Sequence, residues 1–115
     1  MQIFKSLFGG GGNSMTATEV KAQMDEGKKP YIIDVRQSGE FKSGHIPGAH
    51  LVPLDKLSQQ MTKLPKDREI LCVCRSGARS GSAARQLTNA GYTAINMRGG
   101  MMSWQSAGFP VKRGN

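Results

Sequence analysis

Short apolar runs and helical repeats alternate along most of the chain. Apolar runs bounded by polar residues or by proline predict strands over 31–35, 51–52, 70–73 and 93–96. Apolar positions three and four residues apart, capping residues and terminal glycines predict helices: a first, capped by Thr16 or Thr18 and ending near Glu26, and others over 37–43, 54–64, 80–90 and 101–107. This alternation is typical of a parallel sheet covered on both faces.

The 115 residues are enough for one domain. Residues 1–13 join a short apolar leader, residues 1–8, to a linker that contains four consecutive glycines, and this composition predicts a flexible segment. We therefore expect the folded domain to occupy residues 14–115. The leader lacks the length and the small-residue cleavage site of a secretory signal, and the longest apolar run has five residues. We expect no stable membrane insertion. For residues 1–8 we expect a frayed terminus or an alternative start before Met15, and the alternative is a weak anchor to a membrane surface or to a partner.

Composition narrows the function classes further. Two cysteines separated by one residue cannot form a disulfide framework, which favours a reducing, cytoplasmic setting. With only His45 and His50 beside them, they predict no metal site, and we expect no cofactor. The net charge is +8, and every charged residue after Glu69 is basic, so we expect an anionic substrate or partner. Because these basic residues are scattered and few aromatic residues accompany them, nucleic-acid binding is not expected.

The densest chemical signal is the segment 74–80, Cys-Arg-Ser-Gly-Ala-Arg-Ser, between a predicted strand and a predicted helix. Sites in parallel sheets form beyond the carboxyl ends of strands, and a loop that enters a helix presents free N–H groups and the positive end of the helix dipole. Gly77 allows a tight turn, and Arg75 and Arg79 add positive charge. These features favour a thiolate, so we predict that Cys74 is a nucleophile with a depressed pKa. Cys72, inside the strand, is predicted to be structural.

Three further stretches accompany the cysteine loop in a fixed order along the chain. They are Ile33-Asp34-Val35-Arg36 with Glu40-Phe41, Gly44-His45-Ile46-Pro47-Gly48-Ala49, and, after the loop, Arg98-Gly99-Gly100 with Trp104. The combination resembles the rhodanese-like domain, the sulfurtransferase family. The resemblance implies a three-layer α/β fold, with a central five-stranded parallel sheet flanked by helices and a bowl-shaped pocket formed by the cysteine loop.

The resemblance also implies a double displacement through a Cys74 persulfide. The sulfane sulfur would come from thiosulfate or from a persulfide or polysulfide donor, and would pass to cyanide or to a thiol, including a thiol on a partner protein. The loop residues expected to bind the anionic donor are Arg75, Ser76, Gly77, Ala78 and Arg79. Behind the loop we expect supporting roles for Ser80, Asp34 and Arg36, with Glu40 joining the last two in an ion pair.

The remaining family residues are expected to be structural. His45 would hold a turn by hydrogen bonding rather than act as an acid or base, and Trp104 would anchor the core. Gly99 and Gly100 would form a backbone turn close to the cysteine loop.

Two alternatives compete with an enzyme that transfers sulfur. A non-catalytic or sulfur-carrier module that docks on a partner protein would keep Cys74, and the sequence leaves that choice open. The family also includes phosphatases with a Cys-x5-Arg loop. Here Ser80 occupies the position of that arginine, and Arg79 lies one position earlier. A phosphatase also needs a general acid, and no carboxylate follows Glu69 in the sequence. A phosphatase is therefore the weaker expectation.

Overall fold

The computed structural model describes residues 14–115, and the predicted leader and linker at residues 1–13 lie outside the described residues. The described chain contains five strands: β1 (Ser14–Thr16), β2 (Tyr31–Asp34), β3 (His50–Leu51), β4 (Glu69–Val73) and β5 (Thr93–Arg98). They form one sheet in the order β1-β5-β4-β2-β3, and every neighbouring pair is parallel. The five-stranded parallel sheet is therefore confirmed.

The helices within the described residues are α1 (Ala17–Asp25), α2 (Ser38–Ser43), α3 (Leu57–Gln60), α4 (Ala78–Asn89) and α5 (Gly100–Ser106). Thr16 caps α1, as one of the two predicted capping residues: its hydroxyl accepts the Glu19 N–H, and the Glu19 carboxylate accepts the Thr16 N–H in return. Among residues 14–115, no helix combines the length and apolar character that a bilayer crossing requires.

Alternate residues of β4 face opposite sides of the sheet and build two separate cores. On one side, Ile70 and Cys72 pack with Leu87 of α4 and Leu57 of α3. On the other side, Leu71 and Val73 pack with α1 and α5, where the indole of Trp104 is fully buried and donates to the Pro110 carbonyl. The sheet is thus the middle of three layers, and the core role expected for Trp104 is confirmed.

The strand register brings the candidate site together. Cys72 of β4 lies opposite Ile33 of β2 on one side and Asn96 of β5 on the other. Because all three strands are parallel, their carboxyl ends meet at one edge of the sheet, where the segments after β2, β4 and β5 become neighbours.

The sequence prediction was wrong at two places. The segment 54–64 is not one amphipathic helix: α3 is a single turn between two 3₁₀ turns, Leu54–Lys56 and Met61–Lys63. The apolar spacing of three at both ends of this segment suits a 3₁₀ turn, whose period is three residues. Strand β1 was not predicted, because three residues carry too little pattern, and its pairing with β5 defines it.

Candidate active site

Cys74 follows the last residue of β4 directly, and Gly77 ends the short connection to α4. Gly77 has a left-handed backbone, with φ at +108°, which side chains other than glycine rarely adopt. The turn folds the backbone over the cysteine, so that the Gly77 N–H donates a hydrogen bond to Cys74 Sγ at 3.1 Å. The free N–H groups at the start of α4, and its positive dipole end, therefore lie beside the sulfur.

Opposing effects act on the acidity of the Cys74 thiol. Burial would by itself raise its pKa, because it disfavours the charged form. The Ser80 hydroxyl, whose Oγ lies 3.3 Å from Sγ, lowers the pKa, as do backbone N–H groups of Ser80, Gly77 and Ser76. The hydrogen bonds outweigh burial, and the pKa of Cys74 lies below its ordinary value. The predicted direction is confirmed, and its main source is the cradle of N–H and O–H donors.

The pKa of the Cys72 thiol, in contrast, is raised. Burial inside β4 raises the pKa of this thiol to about 12, and the negative charge of Cys74 adds to the effect. Both cysteines are free. At neutral pH Cys72 is therefore an uncharged, buried thiol, as expected for a structural residue.

Arg79, in the first turn of α4, is bound by a carboxylate from α2. Its Nη1 and Nη2 donate to Oε1 and Oε2 of Glu40, each at 2.8 Å. The hydrogen bond from Arg79 holds the pKa of Glu40 at about 2, against the opposing effect of burial. The pKa of Arg79 is raised, first by Glu40 and further by the nearby charge of Cys74. The guanidinium thus lies close enough to the sulfur to interact with its charge.

Asp34 and Arg36 form a buried ion pair of their own at the end of β2. Arg36 donates to both carboxylate oxygens of Asp34, at 2.9 and 2.8 Å, and to the carbonyl of Gly44. The expected pairing of these two residues is confirmed, but the placement of Glu40 with them was wrong. Arg36 already donates to Asp34 and to the Gly44 carbonyl, and Glu40, in the first turn of α2, binds Arg79 of α4 instead.

The other loop residues face solvent or the backbone of α5. Arg75, Ser76 and Ala78 are exposed, while Gly77 is half-buried. The carbonyls of Cys74 and Arg75 accept hydrogen bonds from the N–H groups of Met101, at 2.8 Å, and Met102, at 3.0 Å. These bonds fix the start of the loop and leave the Arg75 side chain at the surface.

Gly100 makes this contact between loop and helix possible. A Cβ atom at Gly100 would lie 2.5 Å from the carbonyl carbon and oxygen of Arg75, a distance that real Cβ atoms do not occupy. The backbone there has φ at +57°. The expected turn at this position, close to the cysteine loop, is confirmed.

His45 follows α2 in the chain and packs against it. It is buried, its Nδ1 lies 2.8 Å from the carbonyl of Phe41, and its ring stacks on the Phe41 ring. Its backbone N–H and carbonyl both pair with Lys112. The expected hydrogen-bonding role is confirmed. Within residues 14–115, no three His, Cys, Asp or Glu side chains are grouped closely enough to hold a metal ion.

Asn96 is a site residue that the sequence analysis missed. Its Oδ1 lies 2.5 Å from Ser80 Oγ, and its Nδ2 donates to the Gly77 carbonyl at 3.2 Å. It also lines a groove of about 390 Å³ between α4 and β5. The available signal was the residue type, since asparagine is depleted in strands and Asn96 interrupts the apolar pattern of β5.

Residues 16–107 match the rhodanese-like domain family. A protein of Allochromatium vinosum named sulfurtransferase is 32% identical over 100 residues, which cover 86% of this chain and 94% of that protein. The putative sulfurtransferase YtwF of Bacillus subtilis is 37% identical over 92 residues, 80% of this chain and 87% of that protein. A crystal structure of a rhodanese-like domain protein from Staphylococcus aureus superposes with a TM-score of 0.82 at 32% identity, and covers 90% of this chain and 100% of that one. A five-stranded parallel sheet between helices, a cysteine loop at its carboxyl edge, and these matches establish that the chain belongs to the rhodanese-like domain family.

Proposed function

We propose that this protein is a sulfurtransferase that moves a sulfane sulfur through a persulfide on Cys74. The donor is thiosulfate or a persulfide or polysulfide, and the acceptor is cyanide or a thiol. The observation that carries the proposal is the position of Cys74 Sγ among donors from Ser76, Gly77 and Ser80, which lower its pKa. A thiolate is the nucleophile that sulfur transfer requires. The names of the A. vinosum and B. subtilis relatives point to the same class of reaction.

In the first step, the Cys74 thiolate attacks the outer sulfur of thiosulfate. A bond forms between Sγ and that sulfur while the bond to the sulfonate sulfur breaks, and sulfite leaves with the electron pair. The enzyme then carries an anionic outer sulfur. In the second step, cyanide or a thiolate attacks this outer sulfur, the Sγ–S bond breaks, and the Cys74 thiolate returns with the product thiocyanate or persulfide. Total negative charge is unchanged in each step, and no proton has to move.

The loop supplies what such a reaction needs, which is stabilisation of negative charge. The N–H groups of residues 75–79 line the turn and would face the transferred sulfur and the leaving sulfite. Exposed Arg75 would attract the dianionic donor from solution, whereas Arg79, tied to Glu40, would act at the loop itself. Ser76, Gly77 and Ala78 would bind the donor mainly through their backbone, since the Gly77 N–H already points at Sγ. Ser80, Asp34 and Arg36 would hold the loop in place behind them.

Mass spectrometry after treatment with thiosulfate tests the proposal. The protein should gain the mass of one sulfur atom, and cyanide or a reducing thiol should remove it. Cys74→Ser should abolish the adduct, and the matched variant Cys72→Ser should retain it, because Cys72 is buried and its pKa is raised. Loss of the adduct in Cys72→Ser alone would contradict the choice of nucleophile.

Steady-state kinetics distinguish an enzyme from a carrier. An enzyme forms thiocyanate over many turnovers from thiosulfate and cyanide, whereas a carrier module releases about one equivalent. An aryl phosphate tests the phosphatase alternative, for which we expect negligible turnover. The free thiols of both cysteines suit a reducing compartment, and we propose that the protein works in the cytoplasm.

A further inference from the structure

The Ser80 hydroxyl faces two acceptors with a single proton. Its Oγ lies 3.3 Å from Cys74 Sγ and 2.5 Å from Asn96 Oδ1, and a hydroxyl can donate to only one of them at a time. The shorter contact with Asn96 means that the amide oxygen is a strong competitor for this proton.

The orientation of the Asn96 amide is fixed by its other end. Nδ2 donates to the Gly77 carbonyl at 3.2 Å, and that carbonyl also accepts the Gly81 N–H at 3.0 Å. Turning the amide over would place two acceptor oxygens, Asn96 Oδ1 and the Gly77 carbonyl, against each other. Oδ1 therefore points at Ser80, and cannot itself donate a hydrogen bond.

The hydroxyl consequently has two arrangements that depend on the charge of the sulfur. When Sγ is an anion, the hydroxyl gains most by donating to it, and Asn96 Oδ1 then faces an oxygen lone pair. When Sγ is uncharged, as a thiol or as the inner sulfur of a persulfide, the hydroxyl is free to donate to Asn96. We infer that Asn96 is a positioning residue which competes with Cys74 for the Ser80 proton, and so favours the sulfur-loaded form of the protein over the free thiolate.

The role in loading rests on the proposed function, because it compares the two forms of the sulfur-transfer cycle. In the loaded form the negative charge lies on the outer sulfur, within reach of the loop N–H groups, while Sγ is uncharged. In this form the Ser80 hydroxyl would donate to Asn96, and the uncharged Sγ would lose no hydrogen bond that it needs. In the free form, a Ser80 hydroxyl that donates to Asn96 is not available to the Cys74 thiolate. The free thiolate is then less stable, so release of the transferred sulfur is less favourable.

The other charged side chains near the sulfur form their hydrogen bonds away from Ser80 and Asn96. Arg85 of α4 lines the same groove as Asn96, and Cys72, opposite Asn96 in β4, stays an uncharged thiol below its pKa of about 12. Arg79 of α4 interacts with the charge of Cys74 and is bound to Glu40 of α2. Asp34 and Arg36, after β2, bind each other. A substitution at Asn96 leaves all of these charges in place, so its effect reports the hydroxyl competition.

The first experiment measures the rate at which iodoacetamide alkylates Cys74 as a function of pH. Asn96→Leu removes the competing acceptor at similar volume, and should move the midpoint down by about half to one pH unit, the equivalent of one hydrogen bond. Asn96→Ala should move it in the same direction, and serves as the second variant if Asn96→Leu is poorly folded.

A Ser80→Ala background separates competition from distortion of the loop. Without the hydroxyl, adding Asn96→Leu should leave the midpoint unchanged, although the hydrogen bond to Gly77 is lost in both backgrounds. An equal shift in both backgrounds, or no downward shift when Ser80 is present, would overturn the proton competition.

The second experiment measures the fraction of persulfide at equilibrium in fixed mixtures of thiosulfate and sulfite. Asn96→Leu should reduce the ratio of loaded to free protein about three- to tenfold relative to the unsubstituted protein. An unchanged or increased ratio would overturn the role in loading. Failure of the unsubstituted protein to form any adduct would overturn the proposed function and this role together, while the alkylation profiles would still decide the proton competition.

Discussion

Arg79 of α4 and Glu40 of α2 form a two-point ion pair in which both nitrogen–oxygen distances are 2.8 Å. Arg79 carries charge that interacts with Cys74, and Glu40 partly neutralises it. If the proposed anionic donor binds at the loop, Glu40 would limit how strongly Arg79 attracts it. The pair makes the local field smaller than the arginine content of the loop alone suggests. It also joins the start of α4 to α2, in which Glu40 lies 34 positions before Cys74.

Removal of Arg79 should therefore be more harmful than removal of the whole pair. Arg79→Ala leaves the Glu40 carboxylate without its partner, where it repels the dianionic donor. We expect kcat/KM for thiosulfate to fall in Arg79→Ala. Adding Glu40→Ala to this variant should raise kcat/KM again by about two- to fivefold, which is the range of a solvent-screened charge interaction. Steady-state kinetics at low ionic strength measure both variants. A double variant as impaired as Arg79→Ala would show that repulsion by Glu40 plays no part.

The same pair should contribute to stability in a defined pH range. The pKa of Glu40 is about 2 in the folded protein and 4.5 in the unfolded chain. Because the folded-state pKa is the lower one, the contribution is fully present above about pH 4.5 and is lost as the pH falls towards 2. The side chains of Arg79 and Glu40 are 36% and 32% exposed, so solvent screening limits the contribution to less than about 1 kcal/mol.

Urea unfolding of Glu40→Gln at about pH 3 and about pH 6 tests this range. Glu40→Gln should lower the free energy of unfolding more at the higher pH than at the lower one, where part of the contribution has already been lost. The matched control is Asp25→Asn, which removes a carboxylate from the pair with Lys21. Since the Asp25 side chain is 63% exposed, its loss should change the pH dependence less. An equal loss at both pH values for Glu40→Gln would contradict the assignment.

The contact between α5 and the cysteine loop predicts a large cost for a small substitution. Gly100→Ala combines a left-handed backbone with a Cβ atom 2.5 Å from the Arg75 carbonyl. Gly108→Ala is the matched control: its φ is +75°, but its Cβ would meet nothing within 4 Å. We expect Gly108→Ala to cost about 1 kcal/mol from the backbone alone, and Gly100→Ala about 2–5 kcal/mol.

Urea unfolding compares the two glycine variants, and the alkylation rate of Cys74 reports the state of the loop. Gly100→Ala should also change that rate, because the carbonyls of Cys74 and Arg75 are held by the start of α5. Equal stability losses in the two variants would show that the loop yields freely to the added Cβ.

Signals that lie close together in the sequence predicted the centre of this site. Cys74, Gly77 and the start of α4 lie within a few residues of one another, so their spacing already defines a loop with inward N–H groups. The alternation of strands and helices likewise predicted the layers, and the family resemblance supplied the fifth strand. Asp34 and Arg36 are two residues apart, and their pairing was also predictable.

Contacts between segments that are distant in the sequence could not be predicted from local sequence patterns. Glu40 and Arg79 are 39 residues apart, and only the tertiary structure, which brings these two side chains together, selects this pair over Arg36. Asn96 reaches Ser80 because β5 lies next to β4, a consequence of sheet order. Strand β1 exists only through its pairing with β5. Each of these features depends on tertiary structure that local propensity does not determine.

The exposed Arg75 should act at longer range than any other residue of the loop. Its side chain lies at the surface, and its backbone carbonyl is held by Met102, so a substitution removes charge without releasing the loop. Arg75→Ala should raise KM for thiosulfate and leave kcat nearly unchanged, because an exposed charge captures the donor rather than stabilising the reaction. It should also weaken the dependence of kcat/KM on salt, since screening shortens the field to about 8 Å at physiological ionic strength. Arg113→Ala removes the same charge from the exposed C-terminal segment and is the matched control. Kinetics at two salt concentrations should show a smaller salt effect in Arg75→Ala than in Arg113→Ala, and equal effects would assign the attraction to net charge rather than to the loop.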